Sequence, residues 1–166
     1  MGEAVFQLKD LQDLFDDSEH TTVHILETRI VKADQRVARK LAIQPGQRTV
    51  YIRRILRRDG LPALYHREYL IYDPLRPIVE AELEVTALQR LFSGTGETIL
   101  KRGEISMEAT MLLYEEPHLL QANQPMAALN FEHLFYDFDD IPISWGWFIG
   151  RADFLRFTTQ VGLQTD

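Results

Sequence analysis

Between Arg48 and Tyr72 the chain reads RTVYIRRILRRDGLPALYHREYLIY, two strand-like runs hinged on Asp59-Gly60-Leu61-Pro62. On the first run Val50, Ile52 and Leu56 alternate onto one face, as a strand with one buried side requires, and Arg54 falls on that same face. A guanidinium cannot discharge, so an arginine buried there without a partner costs several kcal/mol, on the order given for unpaired ions. A local carboxylate or a reach to the rim would satisfy it structurally. A bound anion would satisfy it functionally, and that makes Arg54 the first candidate site residue.

The rest of the composition narrows the setting. At 166 residues with 45% hydrophobic content, one domain can bury its own core without staples. Cysteine is absent, which removes disulfides, thiolate metal sites and cysteine nucleophiles together and suits a reducing cytoplasm. No apolar run approaches the ~20 residues of a membrane span, and the start is acidic where a signal peptide is basic. A soluble, cytoplasmic protein with no membrane contact is expected. The net charge of -7 argues against holding nucleic acid alone, yet six of the eighteen Lys and Arg lie between Arg48 and Arg67. That concentration fits an anion pocket or a solvated charged face, and Arg53, Arg57 and Arg58, which share no clean apolar register, belong to the second kind.

In chain order, Phe6 to Phe15 reads as an amphipathic helix or entry segment. Thr21 to Ala33 reads as a long strand, and Asp34 caps a short helix with Val37 and Leu41 on one face, closed by Gln44-Pro45-Gly46. After the central hairpin, Asp73-Pro74-Leu75-Arg76-Pro77 is a rigid connection. A short helix is expected around Thr86 to Phe92, and Ser93-Gly94-Thr95-Gly96 is a turn rather than a phosphate loop, since no Gly-Lys-Ser/Thr follows. Thr98 to Met111 reads as a strand, Pro117 to Ala122 as a helix, and Met126 to Phe138 and Ile143 to Val161 as a longer pair of strands.

The order repeats. A helix, a proline turn and two strands hinged on Asp59 to Pro62 return as a helix, Gln124-Pro125-Met126 and two strands hinged on Asp139 to Pro142, eighty positions on. Two such units predict an α+β fold, a pseudo-symmetric antiparallel sheet with helices to one side and a ligand cavity between the halves.

Catalytic motifs are thin, with no Gly-x-Ser-x-Gly elbow, His-Glu-x-x-His or Walker sequence. His66 and Glu68 project to one side of a strand, but two ligands without a third read as a hydrogen-bonded pair, so no metal is expected. Trp145, Trp147 and Phe148 wall an apolar ligand or belong to a core or a subunit interface.

Three stretches in order, LAIQPGQRTVYIRRILRRDGLPALYHREYL, ISMEATMLLYEEPHLL and PMAALNFEHLFYDFDDIPISWGWFIGRADFLRF, resemble the UTRA domain, the effector-binding half of bacterial GntR regulators of the HutC subfamily. The last is the most specific. The family's Tyr-Asp-x-Asp-Gly-x-Pro turn and following Arg-x-Asp and aromatic correspond to Tyr136, Asp137, Asp139, Pro142, Arg151, Asp153 and Phe157.

The resemblance implies a chorismate-lyase-like fold, a small-molecule effector, a homodimer, no cofactor, and DNA contact only through a winged helix-turn-helix that these residues do not contain. It divides the chain into an N-terminal helix or linker segment, 1–20, and an effector domain, 21–166. It places Arg54 at the effector's anion and Ser106 near a hydroxyl-bearing position on a facing strand. A second arginine would fall at Leu56, or at Arg57 with a one-residue shift. Carboxylates of the family's pattern are replaced by His66 and Ser144. With Trp145 alongside, these point to an organic acid or aromatic anion rather than a phosphosugar. Arg151 and Asp153 are expected to fix a loop or subunit contact, and Trp147, Phe148, Phe154 and Phe157 to need covering by a second subunit. The alternative is a stand-alone enzyme of the chorismate-lyase type, against which stands Ser144 where the lyases place a glutamate.

Overall fold

The structure, a computed structural model, describes residues 21–73, 102–122 and 125–154. Six strands, β1 (Thr21–Lys32), β2 (Arg48–Arg58), β3 (Leu61–Ile71), β4 (Arg102–Met111), β5 (Ala127–Tyr136) and β6 (Pro142–Arg151), form one antiparallel sheet in the order β1-β2-β3-β6-β5-β4. Two short helices, α1 (Gln35–Lys40) and α2 (Glu116–Leu119), complete the described elements. The β2–β3 hairpin turns on Asp59 and Gly60, both at positive φ (50° and 78°), the geometry that lets a two-residue loop follow the strands' right-handed twist.

The expected repeat is larger than helix plus hairpin. Each half is a strand, a helix and two further strands, and the halves meet where β3 pairs with β6. Arg67 lies opposite Trp147 there, eighty positions apart in sequence, so a pseudo-twofold axis passes through that pair. Across it β2 matches β5 and β1 matches β4. The position matched to Arg54 is His133, because Arg54 pairs with His66 while His133 pairs with Gly146, eighty residues after His66.

Both helices lie on one face of the sheet, as expected. Helix α1 is too short to stand alone. The Asp34 carboxylate accepts from the Val37 N–H at 2.8 Å, a cap worth about 1 kcal/mol. Its apolar side, Val37, Ala38 and Leu41, packs against Trp145 with Tyr69 and Ile71 beside it. On the same face Leu112, Leu119 and Leu120, in and around α2, pack on Ile55, Tyr65, Ala128 and Ile149. The other face carries Val50 and Ile52 with Leu70, and Leu56 and Leu64 with Phe148.

Several boundaries shift. Helix α2 begins at Glu116 and ends at Leu119. Strand β6 ends at Arg151 rather than running to Val161, because the chain turns there: the Ala152 N–H donates to the Ala127 carbonyl and the Phe154 N–H to the Arg151 carbonyl. Asp153 therefore sits in a turn, not on the strand. Its carboxylate receives two N–H bonds from Arg151, at 2.7 and 3.0 Å, while Arg151 Nη1 also donates to the Leu120 carbonyl at the end of α2. Phe148 needs no second subunit to cover it, being 5% exposed, and Phe154 packs beside it. The expected helices at Phe6 to Phe15 and Thr86 to Phe92, the Ser93 to Gly96 turn, Phe157 and the 1–20 segment lie outside the described residues. No helix among the described residues is long and apolar enough to cross a membrane.

Candidate functional site

Alternation on three central strands assembles the site. On the face away from the helices, β2 presents Arg54, β3 presents His66 and Glu68, and β6 presents Ser144, Gly146 and Phe148. Strand β5 adds Phe131, His133 and Phe135. Arg54, His66, Glu68, His133 and Ser144 are each at most 1% exposed. Charged and polar groups so deep must satisfy one another.

They do, in a chain. Arg54 Nη2 donates to Glu68 Oε2 at 2.5 Å, and Arg54 Nε donates to His66 Nδ1 at 2.8 Å. Ser144 Oγ donates to the other carboxylate oxygen of Glu68 at 2.6 Å. His66 Nε2 lies 3.0 Å from His133 Nε2. Because Nδ1 of His66 is the acceptor for a guanidinium, its one ring hydrogen is on Nε2 and points to His133, which carries its own on Nδ1. Both imidazoles are thereby neutral. Burial first, then the Arg54 charge, holds the His66 ring well below its ordinary pKa; the same two causes push His133 down to about 3. Burial also works against the Arg54 charge, and Glu68 works for it.

A glycine makes the arrangement possible. Gly146 stands between Glu68 and His133 in the ladder, and a Cβ there would come within 2.2 Å of the Arg67 carbonyl oxygen and 2.9 Å of His133 Nε2. With no side chain in that place, His133 leans across β6 to His66. The His66 ring also stacks on Phe148, centroids 3.7 Å apart and 5° from parallel, and His133 stacks on Phe135 at 4.7 Å.

Arg54 Nη1 is buried and has no hydrogen-bond partner among the described residues. An unmet guanidinium N–H in a dry site awaits an acceptor.

The structure brings together Arg54, His66 and Ser144 of the expected residues, and it separates the other two. Trp145 points to the helix face, since it follows Ser144 on a strand whose side chains alternate; its Nε1 donates to Glu132 Oε1 at 2.8 Å under α1. Ser106 is exposed on β4, four strands from Arg54, and it pairs with Glu132, whose row continues through Trp147 and Arg67 on the helix face. Neither can share a pocket with Arg54. Leu56 sits in the apolar cluster with Phe148, and Arg57 donates to the Gly60 carbonyl in the turn, so neither position brings a second arginine to the first. Glu68, two positions beyond His66 and on the same face, supplies a carboxylate to the cluster, where the sequence reading expected His66 to stand in place of one. His133 was missed, although a polar residue alternating with Phe131 and Phe135 is the same signal that marked Arg54.

Comparison with known proteins agrees with this architecture. The UTRA domain profile matches residues 17–156. Among solved structures, the effector domain of PhnF from Mycobacterium smegmatis superposes with a TM-score of 0.79 at 19% identity, covering 92% of this chain and 94% of that one. The ligand-binding domain of a Bordetella bronchiseptica protein assigned to the GntR-family transcriptional regulators gives 0.77 at 22% identity, covering 86% and 89%. A GntR-family regulator from Bacillus cereus gives 0.72 at 17% identity, covering 86% and 99%. Likeness at these identities shows the fold. No curated protein matches the chain. None of the three descriptions is of an enzyme, and the lyase alternative finds no support in them.

Proposed function

Because the chain belongs to the UTRA domain family, the effector-binding domains of GntR-type transcription regulators, we propose that it reads a small anionic metabolite on the sheet face that carries Arg54. The observation that carries this reading is the buried, unpartnered Nη1 of Arg54. The rest of that guanidinium is already balanced by Glu68, and both histidines are neutral, so the site has one strong donor to offer and little net charge. Such a site suits a monoanion such as a carboxylate better than a phosphate dianion.

In this reading the domain works in the cytoplasm as a homodimer. The apolar side chains that Met107, Met111, Leu113 and Tyr114 expose along β4 and the loop after it support a contact between subunits there. The effector binds one arrangement of the dimer better than the other, and only that difference can change operator affinity. DNA contact is left to a winged-helix module, since a net charge of -7 works against holding phosphates.

A thermal-shift screen of metabolites finds the effector, and calorimetry then compares wild type with Arg54→Met. The variant is expected to lose one charge-assisted contact, a weakening of about one to two decades. Unchanged affinity for a confirmed effector would overturn the assignment. Sedimentation at micromolar concentration should show twice the mass of a single chain.

A further inference from the structure

One ring nitrogen each of His66 and His133 and a Glu68 carboxylate oxygen lie within 4.8 Å of one another, all buried, and the two Nε2 atoms are 3.0 Å apart. We propose that these three residues form a site for a divalent transition metal such as zinc, which takes the place of the hydrogen now held between the two imidazoles. Two imidazole nitrogens and one carboxylate are a ligand set that zinc favours, and three protein ligands leave a fourth position open to water or to a donor atom of another molecule. The imidazole pair itself needs little movement. Two nitrogens bound at about 2.0–2.1 Å with tetrahedral angles stand about 3.3 Å apart, against 3.0 Å here. The ion therefore opens the pair by a few tenths of an ångström and draws in the Glu68 carboxylate. Gly146 keeps the gap clear, because any side chain there would meet His133 Nε2.

Proton accounting gives the site its particular property. The metal takes the lone pair of His66 Nε2, so the hydrogen there moves to Nδ1 of the same ring. Nδ1 can then no longer accept from Arg54 Nε, and Glu68 Oε2 turns from Arg54 to the ion. No proton is lost overall. Arg54 is displaced from both acceptors. Metal and guanidinium are thus alternative occupants of one set of acceptors, and the metal-loaded state frees N–H donors of Arg54 that the metal-free state keeps engaged.

The test is cobalt(II) titration of the whole chain, read by the visible absorption of tetrahedral cobalt, with equilibrium dialysis against zinc for stoichiometry. Wild type is expected to bind one ion per chain and to show the tetrahedral bands. His133→Phe should lower the affinity by more than about a hundredfold, the loss of one of three ligands. Arg54→Met should bind more tightly, by about tenfold, since the competing charge-assisted contact is gone. A wild-type chain with no cobalt band and no retained zinc would overturn the proposal, and so would binding that survives His133→Phe or that weakens in a folded Arg54→Met. The wild-type titration carries the test even if the Arg54 variant does not fold, and it is independent of whether any anionic effector is found.

Discussion

Arg53 and Arg54 are neighbours on one strand, and their surroundings could hardly differ more. Arg53 points to the helix face, where its guanidinium meets Tyr65 Oη at 2.6 Å, Glu115 at 2.5 Å and Glu27 at 3.3 Å, with its side chain 23% exposed and that of Glu115 45% exposed. Arg67, on the same face, stacks over Tyr65 and reaches Glu115 at 3.3 Å. This is a screened, redundant network in which each cation has several partners. Among the described residues Arg54 has a single carboxylate partner, Glu68, at 1% exposure. Redundancy at the surface makes each bond cheap to lose. Isolation in the interior makes one loss expensive.

The sharpest way to break the contrast is to remove one anion from each face. Glu68→Gln leaves Arg54 buried without a counter-charge and should cost about 3–5 kcal/mol, read as a fall in the urea midpoint. Retention of full stability would show that the cluster is wetter than its burial implies. Next in size is Gly146→Ala, which puts a carbon against the Arg67 carbonyl and His133; overpacking of this kind costs about 1–3 kcal/mol. A neutral result there would mean that β3 and β6 can separate without loss.

Between pH 7.5 and 5 acid should act chiefly on the buried face, through its histidines. Both rings have pKa values below the ordinary 6.5 in the folded chain, His133 near 3, so the unfolded chain takes up protons that the folded one refuses. Stability is therefore full above about pH 6.5 and falls as pH drops from there toward 3, by up to about 1.4 kcal/mol per pH unit for each ring. Denaturation at pH 7.5, 6 and 5 measures the slope, and His133→Phe should reduce it by about half over that range. The smallest effect belongs to the helix face. Glu115→Gln should change stability by no more than about 1 kcal/mol, with the loss shrinking in added salt. A loss as large as that of Glu68→Gln would erase the distinction between the two faces.

Much of this was legible in the chain. Alternation placed Arg54 with Val50, Ile52 and Leu56, and the repeated turns announced a two-part sheet. Parity could also have excluded Trp145, since residues adjacent on a strand cannot both face the side that carries Ser144 and Arg54. Ser106 was beyond such reading. Whether it shares a face with Arg54 depends on register across three intervening strands, and register is set by packing and bulges, such as the one between Leu56 and Arg57, that leave no mark in local pattern. The approach of His133 to His66 was hidden for a similar reason, because it passes over Gly146 on a strand eighty positions from His66 in sequence.

The pairing of β3 with β6 has a kinetic consequence. Strands β2 and β3, and β5 and β6, are joined by short turns, so each half can close its own ladder through contacts near in sequence. Partners across the central seam, such as Leu70 and Ser144, are separated by the whole of the β4–α2–β5 segment. Joining them carries the largest loop-closure entropy in the sheet, so the seam is the late, slow event of folding. Arg54, His66 and Glu68 come from one half, and His133 and Ser144 from the other. The chain thus makes the two parts of this interior cluster separately, and a nascent or partly opened molecule holds the Arg54–Glu68 pair in water until the seam takes it in.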